Sequence, residues 1–134
     1  MTTRAKNRTF VGGIIVAVVA LVATLLPMVA SSGREEAREI RVVTRDMSFY
    51  VDGQAEPNPV ITFRAGERVK LVLRNEDPGM SHDFAVKAWS VGTKLLEDRG
   101  EQDTITFTVP DARGTTTYHC TPHPKMMSGT LRIE

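Results

Sequence analysis

Tyr118-His119-Cys120-Thr121-Pro122-His123-Pro124-Lys125-Met126 carries the chain's single cysteine, an imidazole three positions on, and a thioether three positions beyond that. A thiolate is a soft donor, an imidazole nitrogen a borderline one and a thioether a weak one. That set suits a metal alternating between Cu(I) and Cu(II), provided a second imidazole completes a trigonal plane. The chain has three histidines. In an extended stretch neighbouring side chains point to opposite sides, so His119 faces away from Cys120 and His82 becomes the second imidazole. Pro122 and Pro124 fix φ on both sides of His123 and remove two backbone donors, which leaves the loop few ways to relax when the metal changes oxidation state. A lone cysteine has no intrachain disulfide partner, and ligation accounts for a thiol that would otherwise be open to oxidation. Met126 and Met127 stand next to each other, so either can supply the weak thioether while the other fills the core.

From Ile40 onward the apolar residues recur at every second position: Ile40 and Val42, then Val69, Leu71 and Leu73, then Ile105, Phe107 and Val109, then Leu131 and Ile133. Period two predicts half-buried strands. Turn signals fall between them at Asp52-Gly53, Pro57-Asn58-Pro59, Ala65-Gly66, Asp77-Pro78-Gly79, Arg99-Gly100 and Pro110-Asp111, a spacing that gives seven or eight strands. The pattern predicts an all-β, antiparallel sandwich. A further strand, Asp83-Phe84-Ala85-Val86, follows His82 directly, and residues 89–101 are expected to hold a short helix or an irregular excursion.

With these residues in view, the chain resembles the cupredoxins, the mononuclear type 1 copper proteins. Cys-x-x-His-x-x-Met, with a histidine about forty positions upstream, is their ligand pattern. The Cys120–Met126 loop is most similar to that of amicyanin and shorter than plastocyanin-like or azurin-like loops. The resemblance covers roughly residues 40–134. It implies a Greek-key antiparallel β-sandwich holding one copper ion per chain. The implied ligands are His82, Cys120 and His123 with Met126 as the axial thioether. It further implies one-electron transfer without enzymatic activity, and an apolar patch around the edge of His123, including Pro122, Pro124 and Met80, where redox partner proteins dock. A histidine directly before the copper cysteine is also similar to copper nitrite reductases, where it holds a second, catalytic copper. That copper needs further imidazoles, which this chain lacks, so His119 is not a ligand. Asn75 and Ser81 are candidates for the outer hydrogen bonds that orient ligands.

Positions 11–30 are twenty consecutive residues without a charge, enough to span a bilayer. Arg4, Lys6 and Arg8 precede them with no acidic residue. The positive-inside rule then puts residues 1–10 in the cytoplasm and the copper domain on the periplasmic or extracytoplasmic side. Residues 11–30 are therefore expected to form one N-terminal transmembrane helix anchoring a single-pass protein in the cytoplasmic membrane. A cleaved signal segment ending near Ala30-Ser31-Ser32-Gly33 is the alternative and would release a periplasmic or secreted protein. Residues 31–39, polar and without apolar periodicity, read as a tether, and residues 40–134 as one domain of about 95 residues with one core.

Residues 34–134 carry fourteen basic and sixteen acidic side chains. A mildly acidic domain without a basic patch argues against nucleic acid as a partner. The function expected is one-electron transfer between redox partner proteins outside the cytoplasmic membrane. Two alternatives share the ligand chemistry. One is transfer or storage of Cu(I), against which the chain shows no methionine-rich or histidine-rich tract. The other is an accessory subunit of a respiratory oxidase, necessarily without a binuclear copper site, since that site takes two cysteines.

Overall fold

The computed structural model describes residues 36–134. Their elements are β1 (Arg38–Arg45), β2 (Ser48–Val51), β3 (Ile61–Phe63), β4 (Arg68–Asn75), β5 (Ala85–Val86), a 3-10 turn (Lys87–Trp89), β6 (Val91–Gly92), β7 (Gln102–Thr108), β8 (Gly114–His119) and β9 (Ser128–Ile133). They form a four-stranded sheet in the order β2-β1-β4-β7 and a five-stranded sheet in the order β3-β9-β8-β5-β6. β1 begins at Arg38, so Arg38 and Glu39 are strand rather than tether.

The period-two reading holds at atomic level. On β4, Val69, Leu71 and Leu73 are fully buried while Arg68, Lys70 and Arg74 are exposed. Ile40, Val42, Leu131 and Ile133 are likewise buried. Each such side chain contributes about 1.5–3 kcal/mol when withdrawn from water. Ile105 and Phe107 are only half-buried, because β7 is an edge strand.

The pairing is not wholly antiparallel, which corrects the sequence-based expectation. β1 pairs with β4 in parallel, Ile40 opposite Leu71, and β3 pairs with β9 in parallel, Ile61 opposite Leu131. After β2 the chain leaves the first sheet, lays β3 into the second and returns as β4. A crossing between sheets imposes no reversal of direction, whereas a hairpin does. Among the described residues the count of nine strands exceeds the expected seven or eight because β5 and β6 are two residues each. The helical turn falls at Lys87–Trp89, and the chain after it is β6 and an irregular run that pairs back at Leu96.

Three rings link the sheets beneath the ligand loop. Phe84 stacks on Tyr118 with centroids 5.0 Å apart, and Phe49 meets both edge-on at 5.7 and 5.3 Å. The buried Tyr118 hydroxyl donates to the Pro59 carbonyl at 2.8 Å, so the ring brings no unpaired polar group into the core. Among the described residues no helix is long and apolar enough to cross a membrane. The segment expected to span, residues 11–30, with its basic flank 1–10, lies outside the described residues.

Candidate metal centre

Two backbone devices bring the donors together. His82 sits in a bridge with Leu96, its N–H donating to the Leu96 carbonyl at 2.9 Å and its carbonyl accepting the Leu96 N–H at 2.8 Å. The strand after it starts at Ala85 rather than Asp83. Cys120 follows β8 directly and opens a loop closed on itself. The Cys120 N–H donates to the Met127 carbonyl at 2.9 Å, and the His123 carbonyl accepts the N–H groups of Met126 and Met127 at 3.1 and 2.9 Å. With Pro122 and Pro124 fixing φ on either side of His123, the imidazole is held by a covalent and a hydrogen-bonded frame together.

In this frame the Cys120 Sγ lies 3.6 Å from Nδ1 of His82 and 3.6 Å from Nδ1 of His123. All three donors fall within 4.8 Å of one another. Metal bonds of about 2.3 Å to sulfur and 2.0 Å to nitrogen separate donors in a trigonal plane by about 3.7 Å. The observed spacing fits a single ion. His82 and Cys120 are fully buried and His123 is half-buried at the surface.

Burial pushes the His82 imidazole below its ordinary pKa, against the pull of Asp77. The ring is therefore neutral near pH 7. Its Nε2 lies 2.9 Å from the Asp77 carboxylate. With the Nε2 proton donated there, the Nδ1 lone pair is free to face Cys120. Burial also raises the Cys120 thiol, partly offset by the Asp83 and His123 backbone N–H groups at the sulfur. Without a cation the site thus favours the thiol, and a metal must displace that proton to bind the thiolate. Asp83 ties the two halves of the site together, its Oδ1 accepting the Thr121 N–H at 2.6 Å.

The structure separates the two candidate thioethers by burial. The Met126 side chain is 62% exposed, whereas Met127 is fully buried. Of the two, Met127 shares the buried core with Cys120. The alternation of β9 carried the signal: counting back from buried Leu131 and Ile133 in steps of two reaches Met127, not Met126. Met126 instead joins Pro122, His123, Pro124 and Lys125 in a shallow, largely apolar surface. His119, next to Cys120, is not part of the donor cluster. Asn75 does act near the site, but one step out, donating to the Met80 carbonyl at 2.7 Å and accepting the Asp77 N–H at 2.9 Å. Asp77 itself, whose side chain touches His82, was legible in the sequence only as part of a turn.

A Cys-His-His cluster of this spacing on a two-sheet sandwich defines a mononuclear copper protein. The family described as copper binding proteins, plastocyanin/azurin family, matches residues 36–134, and the chain belongs to it. Copper is accordingly its cofactor. Among curated proteins none matches the chain in sequence. Solved structures similar to it include reduced auracyanin from Roseiflexus castenholzii, with 18% identity, a TM-score of 0.57, and coverage of 73% of this chain and 98% of that one. Rusticyanin from Thiobacillus ferrooxidans has 20% identity, a TM-score of 0.56, and coverage of 74% and 79%. A multicopper oxidase from Aquifex aeolicus has 20% identity and a TM-score of 0.58, with 72% of this chain matching 26% of that one. At these identities the likeness is one of fold, the cupredoxin sandwich.

Proposed function

We propose that this protein is a one-electron carrier whose copper is held by His82, Cys120 and His123 with Met127 as the axial thioether. The observation that carries the reading is the equal 3.6 Å spacing of the thiol sulfur from two imidazole nitrogens. Copper, when bound, supplies the one-electron redox change. The chain supplies rigidity. Proline on both sides of His123, the Cys120–Met127 backbone bond and the Asp83–Thr121 bond hold the donors in one arrangement, so little nuclear rearrangement accompanies a change of charge. His82, Cys120 and His123 together with a thioether would supply four protein donors to the copper, which argues for a carrier rather than an enzyme. The apolar face of Pro122, His123, Pro124 and Met126 offers redox partner proteins a short route to the buried centre through the half-buried His123 ring. Purified full-length protein loaded with Cu(II) should show intense visible absorption and a narrow copper hyperfine splitting. A colourless, tetragonal Cu(II) spectrum overturns the reading.

We also infer that the domain works outside the cytoplasmic membrane, attached through residues 11–30. The warrant is the uncharged stretch with its one-sided basic flank. Expressed in a bacterium, the protein should fractionate with the inner membrane, with its copper domain open to protease once the outer barrier is breached. Recovery of a cytoplasmic domain with residues 1–30 intact overturns this placement.

A further inference from the structure

We propose that Asp77 is a positioning residue for the copper centre, its buried carboxylate fixing the tautomer of His82 and biasing the site toward Cu(II). This inference rests on the electron-carrier reading and names a residue that sets the potential of that site.

Asp77 is 7% exposed, and its carboxylate is the one side-chain partner of the fully buried His82 ring outside the donor cluster among the described residues. Its two oxygens are occupied. Oδ1 accepts the Asp46 N–H at 2.7 Å, while Oδ2 accepts the Met47 N–H at 3.2 Å and meets His82 Nε2 at 2.9 Å. Asp46 and Met47 form the tight turn between β1 and β2, both at positive φ, 50° and 56°. Such turns favour glycine or asparagine. The two N–H groups they aim at Asp77 offset part of that strain. The residue is fixed from its backbone side too, since the Asp77 backbone N–H donates to Asn75 Oδ1, which also accepts the Thr44 hydroxyl at 3.1 Å. A chain of buried polar groups thus runs from β1 and β4 of one sheet to the ligand that faces the other.

Two effects follow for His82. The first is geometric. A carboxylate accepts and never donates, so Nε2 must carry the ring proton and Nδ1 must carry the lone pair that faces Cys120. The second is electrostatic. A negative charge one ring away from the metal, in a setting poorly screened by water, stabilises the higher cation charge of Cu(II) over Cu(I). A carbonyl or an amide at the same place would orient the ring without a full charge.

Two measurements test the proposal. In the metal-free protein at neutral pH, nitrogen-15 NMR of the imidazoles should show His82 as the Nε2–H tautomer with a bare Nδ1. An Nδ1–H tautomer overturns the proposal, and this result does not depend on copper. In the copper-loaded protein, Asp77→Asn preserves size and an acceptor oxygen while removing the charge. It should keep the visible colour and shift the Cu(II)/Cu(I) equilibrium about tenfold toward Cu(I), a rise in potential of about 59 mV for one electron. A coloured Asp77→Asn protein of unchanged potential overturns the proposal, leaving Asp77 as a cap for the β1–β2 turn. Absence of type 1 colour in the wild-type protein instead strikes the electron-carrier reading, and the two failures are separately visible. Should Asp77→Asn fail to fold, the tautomer in the wild-type protein decides.

Discussion

The backbone N–H of Cys120 donates to the carbonyl of Met127 across 2.9 Å, so the last residue of the ligand loop is pinned to the first. Met127 is thereby carried inward with the cysteine, and Met126, one residue earlier, is turned out. Met127→Leu should keep the colour and raise the reduction potential, because loss of a thioether destabilises Cu(II) more than Cu(I). Met126→Leu should leave the potential where it is, since its side chain is 62% exposed. Voltammetry on the two variants checks this, and a shift in Met126→Leu with none in Met127→Leu would reverse the assignment.

How much of this was readable beforehand follows from what each residue depends on. The buried positions of β1, β4 and β9 were legible because a strand with one face covered writes its burial as alternation. His82, Cys120 and His123 were legible because copper needs those donor types and the chain holds few of them. The residues around Met126 and Met127 left the choice open, and loop resemblance pointed to Met126; spacing through an irregular loop carries no facing information. Counting back from Leu131 along β9 gives the parity of burial, which falls on Met127. Asp77 was hidden for another reason. Asp-Pro-Gly is an ordinary turn signal, and only the tertiary meeting of that turn with the Asp46–Met47 turn and His82 buries its carboxylate. The parallel pairs were equally invisible, since alternation reports which face is covered and not the direction of the neighbouring strand.

Gly129 lies directly opposite Tyr118 in the β8–β9 ladder, and a Cβ placed there would overlap the tyrosine ring. The ring cannot yield freely, held by Phe84, Phe49 and its bond to Pro59. Gly129→Ala should therefore cost about 1–3 kcal/mol, the range for overpacking a filled core. Each 1 kcal/mol lowers the melting temperature of a domain this size by about 4–8 °C. Because Tyr118 precedes Cys120 by two residues, the displaced ring should also disturb the ligand loop, visible as a shifted charge-transfer band. Calorimetry and the visible spectrum of the same sample check both effects, and an unchanged melting temperature would show that the core yields there after all.

The metal-free protein should be most stable on a plateau bounded by two titrations of opposite sign. Burial holds the His82 pKa below its ordinary 6.5. As the pH falls through 6.5 the unfolded chain takes up a proton that the folded chain resists, so this contribution is present above 6.5 and is lost on acidification. Burial holds the Cys120 thiol above its ordinary 9.0. As the pH rises through 9.0 the unfolded chain releases a proton that the folded chain retains, so this contribution is present below 9.0 and is lost on the alkaline side. One proton limits either slope to about 1.4 kcal/mol per pH unit. Urea midpoints across this range should fall on both sides of the plateau, with His82→Gln flattening the acid limb and Cys120→Ser the alkaline one. Copper loading should remove the alkaline limb as well, because the metal-bound sulfur is already a thiolate. An alkaline limb of unchanged slope in Cys120→Ser would assign that loss to another group and remove the thiol from the account.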